Sequence, residues 1–339
     1  MIAKAPQRVL ILKPSSLGDI VHTLPAAAAL RAAFPSAHFT WMVNPEWAPL
    51  LQGNPHLDET LIFPRSDFRG PAGWVRFLRW RRDLAKPYRP DLILDFQGLL
   101  RTALVARAFR GVPVIGLSDA REGARLAQTR TVPVSPKSHA VERYLALAAA
   151  AGASLAGRPV FHLPPGDQPS DPIPSAPYVV LHPFSRGRGK SLPFESVAAF
   201  ARAIDCPVIL VGRASRELPG LPPNVTNLLN RTSLTELLWI LRRADFVVSV
   251  DSGPMHLAAA VTDQLLAVHT WSDPCQVGPY RPGSHVWKGG NFFPALDPLA
   301  SSAPTVIPSP DDATTIARWV RSQMEHPRAR PPAGTQPAG

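Results

Sequence analysis

The sequence predicts an α/β protein of two doubly wound parallel-sheet domains facing a central cleft. Short apolar runs alternate with longer helical patterns along all 339 residues. The short runs are rich in Val, Ile and Leu with little polar alternation, as in parallel strands covered on both faces. One stretch, residues 157–177, breaks the alternation with Pro159, Pro164, Pro165, Gly166, Pro169, Pro172, Pro174 and Pro177, and reads as an interdomain linker. The length suits two domains better than one.

In the first half, strands are expected at Arg8–Lys13, Phe39–Val43, Asp91–Phe96 and Val112–Leu117, with helices at Ala26–Phe34, Trp74–Leu84, Leu99–Phe109 and His139–Ala151. In the second half, strands are expected at Tyr178–His182, Pro207–Gly212, Phe246–Val250 and Leu265–His269, with helices at Phe194–Ile204, Leu234–Arg242 and Met255–Ala260. The first domain is assigned to residues 1–165 and the second to 176–310. A last helix, 311–325, is expected to pack back towards the first domain. Residues 326–339 read as a disordered Pro/Ala/Gly-rich tail. Ligands of doubly wound sheets sit at the carboxyl ends of strands, so the shared cleft is the expected site.

A net charge of +11 favours an acidic partner: a phosphorylated or carboxylated substrate, or anionic lipid. A plain arginine-rich solvated surface is the competing reading. No nucleic acid is expected, for want of a binding motif or an aromatic-interleaved basic stripe. No apolar run reaches the roughly 18 residues of a spanning helix, and the amino terminus has no signal-peptide pattern. Cys206 and Cys275 have neither metal-type nor redox-type spacing; reduced thiols fit the cytoplasm.

Four segments carry candidate chemistry. Asp251-Ser252-Gly253-Pro254-Met255-His256 follows a buried strand and opens a helix. Free N–H groups there suit a phosphate, Gly253 allows close approach, Asp251 can accept from sugar hydroxyls and His256 can donate. An ordinary capped helix fits the same residues. Lys13-Pro14-Ser15-Ser16-Leu17-Gly18-Asp19 follows the first strand. Asp19 is a general base if it faces the cleft, and an N-cap residue if not. Pro25 sharpens the choice, because a helix beginning at Asp19 would contain it. His182–Lys190 offers Ser185, Arg186, Arg188 and Lys190 around two glycines, a diphosphate loop or a basic surface loop. Glu217, after a strand ending in glycine, is a weak ribose-binding candidate.

Taken in order, these segments resemble the bacterial heptosyltransferases of lipopolysaccharide core synthesis, glycosyltransferase family 9, over about Arg8 to Arg321. Residues 8–25 resemble the family's opening strand and loop, and Asp95-Phe-Gln-Gly-Leu-Leu-Arg-Thr-Ala its Gln-Gly-Leu segment. Asp251-Ser-Gly-Pro-Met-His-Leu-Ala resembles its donor signature. Ala120-Arg-Glu and His139-Ala-Val-Glu-Arg143 are similar to segments of the enzymes that add the first heptose to Kdo, heptosyltransferase I. The loop at 185–190 and the arginine-rich segment Phe63–Arg82 depart from the family pattern.

The resemblance implies a GT-B fold of two Rossmann-like domains and a metal-independent, inverting transfer needing no cofactor. The donor would be ADP-heptose or another nucleotide sugar, and the acceptor lipid-linked Kdo on lipid A. It implies Asp19 as catalytic base and Lys190 on the donor phosphates. Ser185, Arg188, Glu217, Asp251, Ser252, Gly253 and His256 would form the donor site. Lys13, Ser15, Ser16, Gly18 and Arg121 would form the acceptor side. The lysine alignment can slip to Arg188. Arg76, Arg79, Arg81 and Arg82 beside Trp74 and Trp80 fit either a solvated helix face or an anionic membrane surface, on the inner face of the inner membrane. The alternatives are another nucleotide-sugar transferase, a sugar-nucleotide epimerase, or a non-catalytic nucleotide- or glycan-binding protein. A one-domain dehydrogenase is disfavoured, because no Gly-x-Gly-x-x-Gly follows the first strand.

Overall fold

In the computed structural model, which describes residues 5–215 and 218–325, the chain forms two sheets. The first contains β1 (Arg8–Leu12), β2 (His38–Val43), β3 (Glu59–Ile62), β4 (Leu92–Asp95), β5 (Val114–Leu117) and β6 (Arg130–Val132). Its order is β3-β2-β1-β4-β5-β6, parallel throughout. The second contains β7 (Val179–His182), β8 (Val208–Leu210), β9 (Val225–Asn227), β10 (Phe246–Val250), β11 (Leu265–Val268), β12 (His285–Lys288) and β13 (Asn291–Pro294). Its order is β13-β12-β11-β10-β7-β8-β9, parallel except for the β12–β13 hairpin. The order reverses between β1 and β4 and again between β7 and β10. Those two switch points are where a doubly wound sheet opens a crevice.

The helices are α1 (Leu17–Ala33), α2 (Gly70–Leu84), α3 (Leu100–Ala106), α4 (Ala140–Ala150), α5 (Phe194–Ala203), α6 (Leu234–Arg243), α7 (Gly253–Val261), α8 (Pro274–Val277), α9 (Pro298–Ser302) and α10 (Pro310–Glu325). The first differs most from expectation. It begins nine residues before Ala26 and holds Pro25 inside it. Its start is fixed by Asp19, whose Oδ2 accepts from the Ser16 N–H at 3.0 Å and the Ser16 hydroxyl at 2.7 Å. An interior proline removes one helix bond and costs about 3 kcal/mol or more. Packing offsets this, since eleven of the seventeen residues of α1 are buried.

The last helix also departs from expectation. α10 packs on α5 of the second half, not on the first domain. Ala313, Ile316, Ala317 and Val320 join a core with Val179, Phe200 and Phe246, and Trp319 stacks on Phe292 at 4.7 Å. The amphipathic face of α10 is simply covered by its nearest apolar neighbour. The expected tail, 326–339, lies outside the described residues.

The proline-rich segment has no helix or strand between residues 153 and 178, and it is fastened to both halves. The His162 carbonyl accepts from Asn54 at 3.2 Å, and the Leu163 and Pro164 carbonyls accept from Arg242 at 3.0 and 3.1 Å. One core cluster runs across the seam, joining Leu17, Val21 and Leu50 to Leu237, Leu241 and Met255.

At the seam, a glycine at the amino-terminal end of each of α1 and α7 lies against a side chain of the other helix. A Cβ on Gly18 would lie 2.5 Å from His256 Cδ2, and one on Gly253 would lie 2.5 Å from Leu17 Cδ2. Both glycines therefore serve the domain contact. Gly18→Ala is expected to destabilise by about 1–3 kcal/mol through overpacking. A denaturant melt checks it, and an unchanged midpoint would show that the seam yields freely.

Candidate active site

The carboxyl edge of the first sheet gathers the acceptor-side candidates. Lys13 leaves β1 with its side chain almost fully buried, and its ammonium turns inward. It donates to the Phe96 carbonyl at 2.9 Å and the Tyr144 hydroxyl at 2.7 Å, and stands 3.5 Å from Asp19 Oδ1. Tyr144, on α4, donates in turn to Asp19 Oδ1 at 2.8 Å. Burial pushes the Lys13 ammonium below the ordinary lysine value, against the pull of Asp19 and Asp95. Burial and the neighbouring Asp19 push the Tyr144 phenol well above its ordinary value, so it stays protonated and donates.

Asp19 is the member of this group that opens to the cleft: its side chain is 37% exposed, against 3% for Lys13. Burial alone would raise its pKa. The Lys13 ammonium and the two Ser16 donors outweigh that and hold the carboxyl well below the usual range. Asp19 is thus both a helix-start residue and a cleft-facing carboxylate. The two readings of the sequence were not exclusive. Lys13 reaches a ligand only through Asp19, and Ser16 is committed to the start of α1.

The Gln97-Gly98 corner stands beside this loop. Gln97 Oε1 accepts from the Ser15 N–H at 3.3 Å, and the Gly98 carbonyl accepts from the Arg121 N–H at 2.8 Å. Buried Asp95 shapes the corner by accepting from the Gln97 and Gly98 N–H groups at 3.0 and 2.9 Å and from Thr102 at 3.1 Å. Arg121 therefore belongs to the same edge as Ser15, with its residue exposed to solvent. Arg143, one turn along α4, pairs with Asp119.

Facing this edge, the second sheet brings the β7–α5 loop to the β10–α7 junction. Lys190 Nζ donates to Asp251 Oδ2 at 2.5 Å, and Ser272 Oγ donates to the same oxygen at 2.5 Å. Burial would raise the Asp251 pKa, but His269, His256, Lys190 and Ser272 together lower it, so it is ionised. Lys190 also lies 4.7 Å over the Trp271 ring, whose Nε1 donates to the Arg188 carbonyl at 3.1 Å. The Arg188 residue is exposed. Ser185 is a loop organiser: its hydroxyl accepts from the Gly187 N–H at 3.3 Å.

Ser252 stands at the N-cap of α7, yet its hydroxyl makes no cap bond to the helix. It pairs instead with His182 Nδ1 at 3.2 Å and donates to the Val250 carbonyl. The start of α7 is thereby left without a side-chain cap, and its partial positive charge is available to an anion. Glu217 lies outside the described residues.

His256 ties the two edges together. Its Nδ1 is 2.9 Å from His22 Nε2 on α1, with both rings buried. His139 packs edge-on to His22, accepts the Val141 N–H at Nδ1 and donates from Nε2 to the Gly278 carbonyl at 3.1 Å. Burial depresses all three imidazoles, and that of His139 is pushed down to about 4. Neutral imidazoles at this seam leave His256 Nε2 as the nitrogen pointing away from the contact with His22. His22, Tyr144, Ser272 and Trp271 had no expected role from sequence. Each acts through a contact with a residue far away in the chain, which no local spacing reveals. Among the described residues, no group of three or more His, Cys, Asp or Glu side chains is placed to hold a metal ion.

Known proteins resemble this chain in sequence and in fold. Residues 78–291 match the model of glycosyltransferase family 9 (heptosyltransferase). Lipopolysaccharide heptosyltransferase 1 of Pseudomonas aeruginosa is 32% identical, with 88% of each chain covered. Among solved structures, Escherichia coli heptosyltransferase WaaC with ADP superposes with a TM-score of 0.72 at 26% identity, covering 93% of this chain and 99% of that one. The same enzyme with ADP-2-deoxy-2-fluoro heptose gives a TM-score of 0.71 with the same identity and coverage. The two-sheet fold is therefore the GT-B fold of these enzymes, and the chain belongs to glycosyltransferase family 9, the heptosyltransferases.

Proposed function

We propose that the chain transfers a heptose from ADP-heptose to a Kdo sugar of the lipopolysaccharide inner core, with inversion at the anomeric carbon. The observation that carries this reading is the pairing of two unlike sites across one seam. An ionised, cleft-facing Asp19 opens on one side, and an ion-paired Lys190 beside the uncapped start of α7 opens on the other. The relatives named for heptose transfer, and the WaaC structures with ADP and a fluorinated ADP-heptose, supply the sugar and the nucleotide.

In this reading Asp19 takes the proton from the acceptor hydroxyl as that oxygen attacks the anomeric carbon. Its depressed pKa makes it a weak base, so transfer comes late, once the new bond has made the hydroxyl acidic. ADP departs as charge builds on its diphosphate. An ammonium carries three donors. Asp251 takes one from Lys190, leaving two for the phosphates, with the start of α7 and His256 Nε2 beside them. Asp251 uses Oδ2 for Lys190 and Ser272, leaving Oδ1 to a sugar hydroxyl. Arg121 and Ser15 would line the acceptor, with Arg121 on the Kdo carboxylate. Ser185 shapes the phosphate loop. On this reading the acceptor is lipid-linked and the enzyme works at the cytoplasmic face of the inner membrane. No helix of the described residues is long and apolar enough to cross a membrane.

Incubating the protein with ADP-heptose and Kdo-terminated lipid A should release ADP, and release should depend on the acceptor. Turnover of a different nucleotide sugar with none of ADP-heptose would overturn the donor assignment. ADP-heptose conversion without acceptor would identify an epimerase instead.

A further inference from the structure

We infer that the carboxyl edge of the first sheet is the face by which this chain docks on an anionic phospholipid bilayer. The inference rests on the proposed function only in taking the acceptor to be lipid-linked. Ten large apolar residues are exposed among the described residues, and five of them, Ile62, Trp74, Val75, Leu100 and Leu126, fall between residues 62 and 126. Each follows the carboxyl end of a strand of the first sheet. Ile62 ends β3, Trp74 and Val75 lie in the second turn of α2, Leu100 opens α3, and Leu126 lies in the turn Ala124–Ala127 after β5. Leu126 is 81% exposed, and it counts here as one member of the group and not by itself.

These elements form one continuous surface. Arg76 Nε donates to the Asp67 carbonyl at 2.7 Å, fixing α2 to the turn Arg65–Phe68. Arg101 feels the charges of both Arg65 and Glu122. The Leu100 N–H donates to Glu122 Oε2 at 3.1 Å, joining α3 to the loop that holds Arg121. Through Arg121, Gly98, Gln97 and Ser15, the same edge reaches the mouth of the Asp19 site.

The chemistry of the face fits a charged lipid surface. Residues 62–86 contain Arg65, Arg69, Arg76, Arg79, Arg81, Arg82 and Lys86 against Asp67 and Asp83, the latter paired with Arg82 and Lys86, and Arg101, Arg121 and Arg125 extend the set against Glu122. At 100° per residue, Val75, Arg79 and Arg82 share the outward side of α2 and Trp74 stands exposed on its flank, while Gly73 and Phe77 face in. Trp80 and Arg81, grouped with them in the sequence, turn inward. Trp80 packs on Phe63 and Phe68, and Arg81 donates to the Leu104 carbonyl at 3.0 Å. The Phe63–Phe68–Phe77–Trp80 cluster is a rigid base beneath Trp74, whose ring lies 5.6 Å from that of Phe77. An exposed tryptophan among arginines suits the headgroup level of a bilayer, where the indole is half buried and the guanidinium groups meet phosphates. A protein partner would be met equally well by the apolar residues, but the arginine excess selects a strongly anionic surface.

The test is co-sedimentation of the full chain with vesicles of phosphatidylglycerol and phosphatidylethanolamine, compared with pure phosphatidylcholine. The expected result is binding to the anionic vesicles that weakens steeply as salt is raised. Trp74→Ser with Val75→Ser should reduce partitioning at least tenfold, and Arg69→Glu with Arg79→Glu should do the same by a charge route. Turnover with a deacylated, water-soluble Kdo acceptor should stay within twofold of wild type for both pairs, which also shows that they fold. Turnover with vesicle-embedded acceptor should fall. Wild-type protein that ignores anionic vesicles, or variants that sediment as wild type does, would overturn the docking face. Loss of turnover on every acceptor by the wild type would instead count against the proposed function.

Discussion

Asp19→Asn is expected to lower kcat by about 10²–10⁴-fold, the range that a positioned general base contributes. Asparagine keeps the shape, but its single amide oxygen can accept from Ser16 or from Tyr144 and not from both, and it cannot take a proton. The acceptor hydroxyl must then ionise into water. ADP affinity should be unchanged, because no hydrogen bond joins Asp19 to the Lys190–Asp251 pair; calorimetric titration with ADP checks this. The pH dependence follows from the depressed carboxyl. A group held below the ordinary range is already ionised at every pH above that range. Asp19 therefore contributes no acid limb to kcat/KM between about pH 5 and 8, and any limb found there belongs to another group. The same sign applies to stability. The favourable pairing of Asp19 is present above the unfolded carboxylate pKa and is lost only as pH falls towards its native value. Wild-type turnover by Asp19→Asn would remove Asp19 as the base.

The central strands were legible because burial on both faces leaves a pure apolar run, as in Val9–Leu12 or Leu265–Val268. The edge strands were not. Arg130–Val132 is three residues long with an exposed arginine, and Val225–Asn227 has no fully buried member. The β12–β13 hairpin did carry a local signal, Gly289-Gly290 between two apolar runs. Both glycines have positive φ, 60° and 84°, as a tight hairpin turn needs. The polar residues Lys288 and Asn291, which flank the turn, interrupt the apolar runs on either side of it. Helix α1 was misjudged because Pro25 weighed more in the local reading than the Ser16–Asp19 bond that starts the helix.

The site divides in the same way. Segments lying at strand ends declare themselves, since glycine, serine and a carboxylate after an apolar run have few other uses. Their partners do not. Tyr144 is an ordinary helix residue by sequence, 125 positions from the Asp19 it bonds. His22 is separated from His256 by 234 residues. Gly18 and Gly253, legible as places of close approach, lie against the His256 ring and the Leu17 side chain of each other's helix, which no local spacing shows. Adjacency of that kind follows from how two sheets close on one another.

Lys190→Ala is expected to lower kcat/KM by about 10²–10³-fold, the cost of removing one preorganised donor from a developing negative charge. The ammonium is fixed before the donor arrives, by Asp251 on one side and the Trp271 ring on the other. It therefore needs little reorganisation when the diphosphate gains charge. Its loss also leaves the Asp251 carboxylate, with 5% of its side chain exposed, to Ser272 and the nearby imidazoles. ADP should bind more weakly as well, because two anionic groups then face each other without a cation between them. Arg188→Ala supplies the contrast. The arginine is exposed, so its removal should cost no more than a few-fold. Steady-state kinetics on both variants, with ADP affinity measured in parallel, decides which cation faces the phosphates. A large loss for Arg188→Ala beside a small one for Lys190→Ala would move that role two residues towards the amino terminus and leave Lys190 as a structural partner of Asp251.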